Sequence, residues 1–333
     1  MKRIISLLTV VIFVVSLIGC GNESPTTDSS EAITSTQTEN TTISETNDAG
    51  RNAQESTDSP PPSPMDANKG EAHSVYGART GTDKTYTGLE PLPKITLSVI
   101  DPENLRGLST SGVNHSYGVS KGGEPHHISV DNQKIYEKYG GMCLDTSGKK
   151  CIYLTFDCGY ENGYTEIILD ALKEKKVTAA FFITMDYAKT APEIVARMIN
   201  EGHIVGNHST THANFSNISR LEMAEEIETL DNYLRVKFGY SSNFFRFPEG
   251  TYSESALDLV QNCGYKSVFW SSAYADWDAN AIKGAQYALD TVTSRLHPGC
   301  VLLLHAVSPD NAGAMGDIID YAHSQGYVFK PLN

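Results

Sequence analysis

Ile152-Tyr153-Leu154-Thr155-Phe156-Asp157 is an apolar run of strand length that stops on a carboxylate. Such a run reads as a strand buried on both faces, the kind found in a parallel sheet covered by helices. Working outward, residues 166–175 have the spacing of a helix and residues 179–184 of a second strand. A helix over 192–200 leads to a third strand at 203–206, and a long helix over 219–237 opens on Ser-Arg-Leu-Glu, a capping-box pattern. Strands follow at 244–247, 267–271 and 301–304, with a short last one at 327–330, and helices over 253–262, 282–296 and 313–324. Repeated β-α units imply parallel strands with right-handed crossovers, hence a (β/α) barrel or an open doubly wound sheet. The count of about seven strands favours an α/β fold with a distorted barrel, short of the usual eight.

In such a barrel the reactive groups sit just past the C-terminal ends of the strands. Asp157 follows its strand directly, and Asn207-His208-Ser209-Thr210-Thr211-His212 follows residues 203–206. Arg246 lies at the end of 244–247, Asp276-Trp277 follows 267–271, and His305 closes 301–304. One such coincidence is weak evidence, but five on a single rim describe a site. His208 and His212 are four apart, so one helical turn would point both imidazoles the same way and let them share a metal ion. A lone His-x-x-x-His is more often surface than ligand; this one shares its rim with Asp157. His203 starts a strand on the opposite rim and reads as structural. His297 and His323 fall on expected helices, His115, His126 and His127 in an irregular stretch, and His73 in a polar one, so these six read as structural too.

Together these words resemble a known family. Thr155-Phe156-Asp157-Cys158-Gly159 resembles the first motif of the polysaccharide deacetylase domain, the NodB-like domain of carbohydrate esterase family 4. His208-Ser209-Thr210-Thr211-His212 resembles the second motif, Arg246-Phe247-Pro248-Glu249-Gly250 the third, Asp276-Trp277 the fourth and Leu303-Leu304-His305 the fifth. All five occur in order. The flanking words Gly159-Tyr160-Glu161-Asn162-Gly163-Tyr164-Thr165, Val268-Phe269-Trp270-Ser271 and His305-Ala306-Val307-Ser308-Pro309-Asp310-Asn311 resemble the sporulation subgroup that makes muramic δ-lactam. That subgroup removes the acetyl group of N-acetylmuramic acid so that the freed amine can close on the lactyl carboxyl. The resemblance implies a distorted barrel of fewer than eight strands and metal-dependent deacetylation of a peptidoglycan glycan strand. The implied metal is zinc, with cobalt or manganese as alternatives.

Under that resemblance His208 and His212 bind the metal, Asp157 is the base that takes a proton from water, and His305 is the acid that protonates the leaving amine. Arg246 holds Asp157 ionised, since an opposite charge lowers a carboxylate pKa. Asp276 either orients His305 or pairs with Arg246, and a purely structural ion pair stays open for both. Trp277 walls the sugar site or belongs to the core. Glu249 and Gly250 lie beside the substrate. Two positions depart from the family pattern. Members usually carry a second acid, the third metal ligand, where this chain has Cys158. Its thiolate either ligates the metal, at about 2.3 Å for zinc, or is a buried thiol that leaves two histidines and water. Glu249 stands where Tyr or Arg is frequent; its backbone N–H remains available to an oxyanion, while its carboxylate would repel a lactyl carboxylate.

The chain of 333 residues begins with Lys2 and Arg3, then an apolar stretch over 4–18, short for a spanning helix and placed as a secretory signal. It closes on Leu17-Ile18-Gly19-Cys20, which resembles the lipobox of bacterial lipoproteins. The resemblance implies a signal peptide over 1–19, lipid attachment at Cys20 and an extracytoplasmic chain anchored to the cell membrane; an uncleaved anchor is the alternative. Residues 20–92 are rich in Ser, Thr, Asn and Pro with almost no large apolar side chains, and read as a disordered tether. Residues 93–150 read as an irregular N-terminal extension, with no β-α alternation over 107–142, and 151–333 as the deacetylase domain. Five cysteines remain after Cys20, an odd number, so at least one thiol is free. Cys143 and Cys151 flank an expected hairpin and either pair across it or stay reduced. A net charge of −14 without a basic stripe excludes nucleic acid as a partner, and the chain is expected to act as a monomer.

Three functions compete: deacetylation of muramic acid, deacetylation of N-acetylglucosamine, and a non-catalytic lipoprotein that holds glycan in the same cleft. The joint presence of Asp157, His305, Arg246 and both histidines argues for catalysis, because a binding module needs no acid and base.

Overall fold

The computed structural model describes residues 85–333; the expected signal peptide, Cys20 and the tether as far as residue 84 lie outside the described residues. The elements run β1 (Val113–Asn114), α1 (His127–Tyr136), β2 (Cys151–Cys158), α2 (Thr165–Lys175), β3 (Ala180–Ile183), α3 (Met185–Thr190), α4 (Pro192–Asn200) and β4 (Ile204–Asn207). They continue with α5 (Arg220–Phe238), β5 (Phe244–Phe245), β6 (Thr251–Tyr252), α6 (Glu254–Asn262), β7 (Lys266–Ser267), α7 (Ala285–Thr293), β8 (Cys300–His305), α8 (Pro309–Ser324) and β9 (Val328–Phe329).

β2 is the centre of the sheet, and all eight of its residues are buried. It pairs in parallel with β3 on one side and β8 on the other. The strand order is β7-β5-β4-β3-β2-β8, with β9 pairing the start of β2. Between the ends of this series the regular ladder lapses. Met142 bridges Val268 and Leu144 bridges Cys300, so residues 142–144 fill the gap, while Ser272 bridges Leu302 directly. The result is a distorted (β/α) barrel of seven parallel strands, as the count implied.

Period-two alternation along β2 divides the core in two. Ile152, Leu154, Phe156 and Cys158 join an outer cluster with Ile168 and Leu172 of α2, Val195 and Met198 of α4, and Ile318 and Ile319 of α8. Tyr153 joins an inner cluster with Phe182, Phe245, Val268, Val301 and Leu303. Thr155 and Asp157 share the parity of Tyr153 and meet Arg246 inside the barrel. A slip of one residue would exchange the two sets, so burial on both sides fixes the register. The capping box is present at the start of α5: Ser219 Oγ accepts from the Glu222 N–H, and the Glu222 carboxylate accepts from the Ser219 N–H.

Three expectations need correction, and one open alternative is decided. The extension is less irregular than its sequence: α1 lies inside 107–142, and its buried face is Ser129, Gln133 and Tyr136. Two of those three are polar because they serve as bonding partners. Gln133 Oε1 accepts from the Cys143 and Leu144 N–H groups, and Ser129 Oγ donates to the Tyr117 carbonyl. The tether ends sooner than Leu92, because residues 85–92 cap the C-terminal carbonyls of α5. The Tyr86 N–H donates to Lys237 O at 2.7 Å, Thr87 Oγ1 to Phe238 O at 2.5 Å and the Leu92 N–H to Arg235 O at 2.9 Å. Helix α7 is shorter than expected at both ends, starting after Gly284 at φ 93° and leaving His297 in the turn before β8. Of the two states open to Cys143 and Cys151, the structure has them as free thiols: Cys143 Sγ lies against Ser129 O and Cys151 Sγ against the Asp145 carboxylate.

Candidate active site

Arg246 follows β5 and its side chain is fully buried. A buried guanidinium is costly unless its N–H groups are paired, and this one is. Nη1 donates to Asp157 Oδ1 at 2.7 Å, Nη2 to Thr155 Oγ1 at 3.0 Å, and Nε to the Val268 carbonyl at 2.9 Å. Its plane lies 4.1 Å from the Phe182 ring centre. Gly206, paired with Phe182 across β3 and β4, makes room for that ring, since a Cβ there would come within 2.6 Å of it. Burial by itself raises the Asp157 pKa, but the charge of Arg246, helped by His208 and His305, outweighs it and holds the carboxyl below its ordinary value.

Asp157 Oδ2, the oxygen left over, lies 3.7 Å from His208 Nε2. On the other side of its ring, His208 Nδ1 is 2.9 Å from the Arg246 carbonyl oxygen. A carbonyl only accepts, so Nδ1 carries the proton and Nε2 offers a lone pair. Burial pulls the pKa down to about 4, which keeps the ring neutral. The His208 and His212 rings stand 4.9 Å apart, edge to face. They meet, but not through the helical turn expected from their spacing. Residues 208–212 form a loop after β4, with Ser209 at φ 70° and His212 at φ 60°. Polar side chains hold that loop: Asn207 Oδ1 accepts from the Ser209 N–H, Ser209 Oγ from the His212 N–H, and Glu226 of α5 from the Thr210 and Thr211 N–H groups.

His305 ends β8 in register with Asp157 on β2. Its Nδ1 donates to Asp276 Oδ1 at 2.7 Å, and its backbone N–H donates to Asp276 Oδ2 at 2.8 Å. Asn311 Nδ2 donates to the same Oδ2 at 2.6 Å, and Tyr274 donates its hydroxyl to Asn311 Oδ1. Of the two partners open to Asp276, the structure therefore pairs it with His305. Burial lowers the His305 pKa, but the bond to and charge of Asp276, then the charge of Asp157, outweigh it and leave it raised. Trp277 is 60% exposed with its ring 6.1 Å from that of His305, so it stands at the site mouth and not in the core. Glu249 is exposed at φ 58°, and Gly250 beside it is buried at φ 67°.

Of the two placements open to Cys158, the structure has the buried thiol. It is fully buried in the outer cluster, on the parity of Phe156 and opposite to that of Asp157. Burial, followed by the charges of Asp157 and Glu161, pushes its thiol well above the ordinary value. A ligand must be a thiolate. Among the described residues no group of three or more His, Cys, Asp or Glu is arranged to hold a metal ion. The donor set that fits a divalent cation is the two imidazoles, whose free lone pair at His208 Nε2 is fixed by the Arg246 carbonyl.

Asn311, Tyr274, Asn207 and Glu226 escaped the reading of the sequence. Two of them sit inside or beside quoted words, Asn311 closing the sixth residue after His305 and Asn207 preceding His208; Glu226 carries no local signal.

The comparisons with known proteins agree with this geometry. A polysaccharide deacetylase family model matches residues 145–268. The peptidoglycan-N-acetylmuramic acid deacetylase PdaA of Bacillus subtilis is 39% identical over 222 residues, 66% of this chain and 84% of that protein. The solved structure of Bacillus subtilis PdaA, a family 4 carbohydrate esterase, has a TM-score of 0.64 at 38% identity, covering 67% of this chain and 96% of the other. A family 4 carbohydrate esterase from Bacillus anthracis gives 0.56 at 39% identity over 67% and 95% of the two chains. With that likeness spanning nearly the whole of its relatives, this chain belongs to the polysaccharide deacetylase family, carbohydrate esterase family 4, and is a hydrolase of amide bonds.

Proposed function

We propose that the protein removes the acetyl group from N-acetylmuramic acid in peptidoglycan, on the route to muramic δ-lactam in spore cortex. The observation that carries this reading is the matched placement of Asp157 and His305 on adjacent strands, each held by its own buried partner, Arg246 and Asp276. The likeness to a muramic acid deacetylase supports the sugar. His208 and His212 are the residues that would hold a divalent cation, zinc in the first instance and cobalt or manganese otherwise. Bound there, the cation supplies Lewis acidity to the amide carbonyl and acidity to water. Asp157 Oδ2, unclaimed by Arg246, takes a proton from the attacking water. His305 Nε2, with Nδ1–H tied to Asp276, gives a proton to the nitrogen as the C–N bond breaks, so acetate and a free amine leave. The backbone N–H of Glu249 is offered to the carbonyl oxygen as charge develops, the Gly250 N–H being held by the Phe247 carbonyl, and Trp277 walls the sugar. Lipid on Cys20 would keep this chemistry outside the cytoplasm, within reach of the wall.

One observation favours a second reading. Glu249 projects from the turn beside the site and would repel the lactyl carboxylate, which N-acetylglucosamine lacks. Mass spectrometry of defined glycan oligomers, incubated with the full chain in detergent and with zinc or chelator, separates the two. Loss of acetyl from muramic acid supports the first, and loss from glucosamine alone the second. No mass change with any divalent metal would leave a glycan-binding lipoprotein.

A further inference from the structure

The segment around His115 lies outside the residues matched by the family model, yet it is built into the wall of the site. β1 pairs antiparallel with β6, Asn114 opposite Thr251, and the Thr251 hydroxyl donates to Asn114 Oδ1 at 2.8 Å. The next residue, His115, donates its backbone N–H to the Gly250 carbonyl at 3.0 Å. Its ring Nε2 lies 2.7 Å from the Trp270 carbonyl oxygen, and its Nδ1 2.7 Å from the Tyr136 hydroxyl. Because the carbonyl only accepts, Nε2 carries the proton and Nδ1 accepts from Tyr136. Both ring nitrogens are thus satisfied in the neutral form, and enclosure pulls the pKa down to about 3. The ring is a fixed strut.

What the strut supports is a strained turn. Glu249 at φ 58° is a non-glycine residue in the left-handed region, followed by Gly250 at φ 67°. Such a conformation persists only where its surroundings hold it. A Cβ on Gly250 would meet the Trp270 ring at 2.6 Å and the His115 Cβ at 3.3 Å, so both residues press on the turn. The His115 ring also packs on Phe269 and Trp270, with centroids 5.0 and 4.6 Å away. Val268 and Phe269, just before Trp270, give the carbonyls that receive Arg246. The ring therefore ties α1, through Tyr136, to Phe269 and Trp270 behind Arg246, and it reaches the turn by way of the Trp270 ring that lies against Gly250.

We propose that His115 is a positioning residue for catalysis, fixing the Glu249–Gly250 turn, through Trp270, from a segment outside the residues that the family model matches. This rests on the deacetylation reading above. The test compares the full chain in detergent with His115→Ala, His115→Gln, which can still donate to the Trp270 carbonyl, and Tyr136→Phe, which removes only the hydroxyl. Hydrogen exchange of the peptide over residues 247–253 should speed up about tenfold in His115→Ala, while β3 is unchanged. On an acetylated glycan oligomer kcat should fall about tenfold with KM within about twofold, a fraction of the about 100- to 1,000-fold loss for a deleted oxyanion donor. His115→Gln should recover most of that loss, and Tyr136→Phe should lose about threefold. Unchanged exchange, or faster exchange with unchanged kcat, overturns the proposal. A wild-type chain that releases no acetate defeats the deacetylation reading instead, and the exchange comparison alone then decides whether His115 holds the turn.

Discussion

Asp276→Asn removes one negative charge from the site and leaves the side-chain shape. The native carboxylate receives His305 Nδ1–H at 2.7 Å, the His305 backbone N–H at 2.8 Å and Asn311 Nδ2 at 2.6 Å, and its side chain has no exposure to solvent. A hydrogen bond to a charged group contributes about 1.5–3 kcal/mol, and one pKa unit corresponds to about 1.4 kcal/mol. The variant should therefore lower the His305 pKa, since the bond to and charge of Asp276 are what raise it. The sign follows from the direction of the native shift. His305 is raised, so its protonated form survives as pH climbs and is lost only above that raised value. Lowering it moves the alkaline limb of kcat/KM toward acid, and at a pH on that limb the loss of one such charged hydrogen bond corresponds to about tenfold in rate. The acid limb, set by Asp157, should stay in place because Arg246 still holds that carboxylate. The assay is acetate release from a defined glycan oligomer across the pH range, with circular dichroism to confirm the fold. An alkaline limb that does not move would refute the assignment of His305 as an acid governed by Asp276.

Asp157→Asn should lower kcat by about 10²- to 10⁴-fold with a native circular dichroism spectrum, since the amide cannot take a proton; near-normal turnover removes Asp157 as the base. His208→Ala should deplete bound metal, measured by elemental analysis of the purified chain, because it removes one of the two imidazoles that meet beside Asp157; unchanged stoichiometry would place the metal elsewhere. Cys158→Ala should leave metal content untouched and lower stability by about 1 kcal/mol in urea unfolding, as for a small buried side chain. Loss of metal in that variant would restore the thiol as a ligand.

The barrel was legible because β2, β3 and β8 are largely apolar runs buried along their length and α5, α6 and α8 each start at a serine whose side chain caps the helix. Ser219 with Glu222 announces α5 in four residues. The parts that were not legible lack a hydrophobic signal for a physical reason. Helix α1 turns Ser129, Gln133 and Tyr136 inward, so its period is written in hydrogen-bonding groups and not in apolar ones. Residues 85–92 are ordered by giving backbone N–H groups and a hydroxyl to the last carbonyls of α5. Any sequence can supply such N–H groups, so no composition rule marks where a tether ends.

The site was legible for a different reason. The rim rule places Asp157, Arg246 and His305 by position alone, and the structure brings all three to one face of the sheet. The His208 and His212 rings do meet, but without the helical turn read from their spacing, for the loop that joins them is set by Asn207, Ser209 and Glu226 and not by a helix. The decisive residue is Cys158. Its position in the motif left a ligand and a buried thiol both open, and strand alternation assigns it to the face of Phe156, away from Asp157. Motif and alternation make opposite demands on one side chain, and in the structure alternation prevails: the thiol is enclosed and its pKa is driven up by that burial. A cation at His208 and His212 would then take its remaining ligands from water or substrate. Metal affinity in this protein should therefore depend on substrate more strongly than in relatives with a third protein ligand. The free energy of completing the coordination shell would be released on substrate binding and not on metal binding, so added glycan should tighten metal retention against a chelator. A retention rate indifferent to glycan would mean that a third protein ligand is engaged after all.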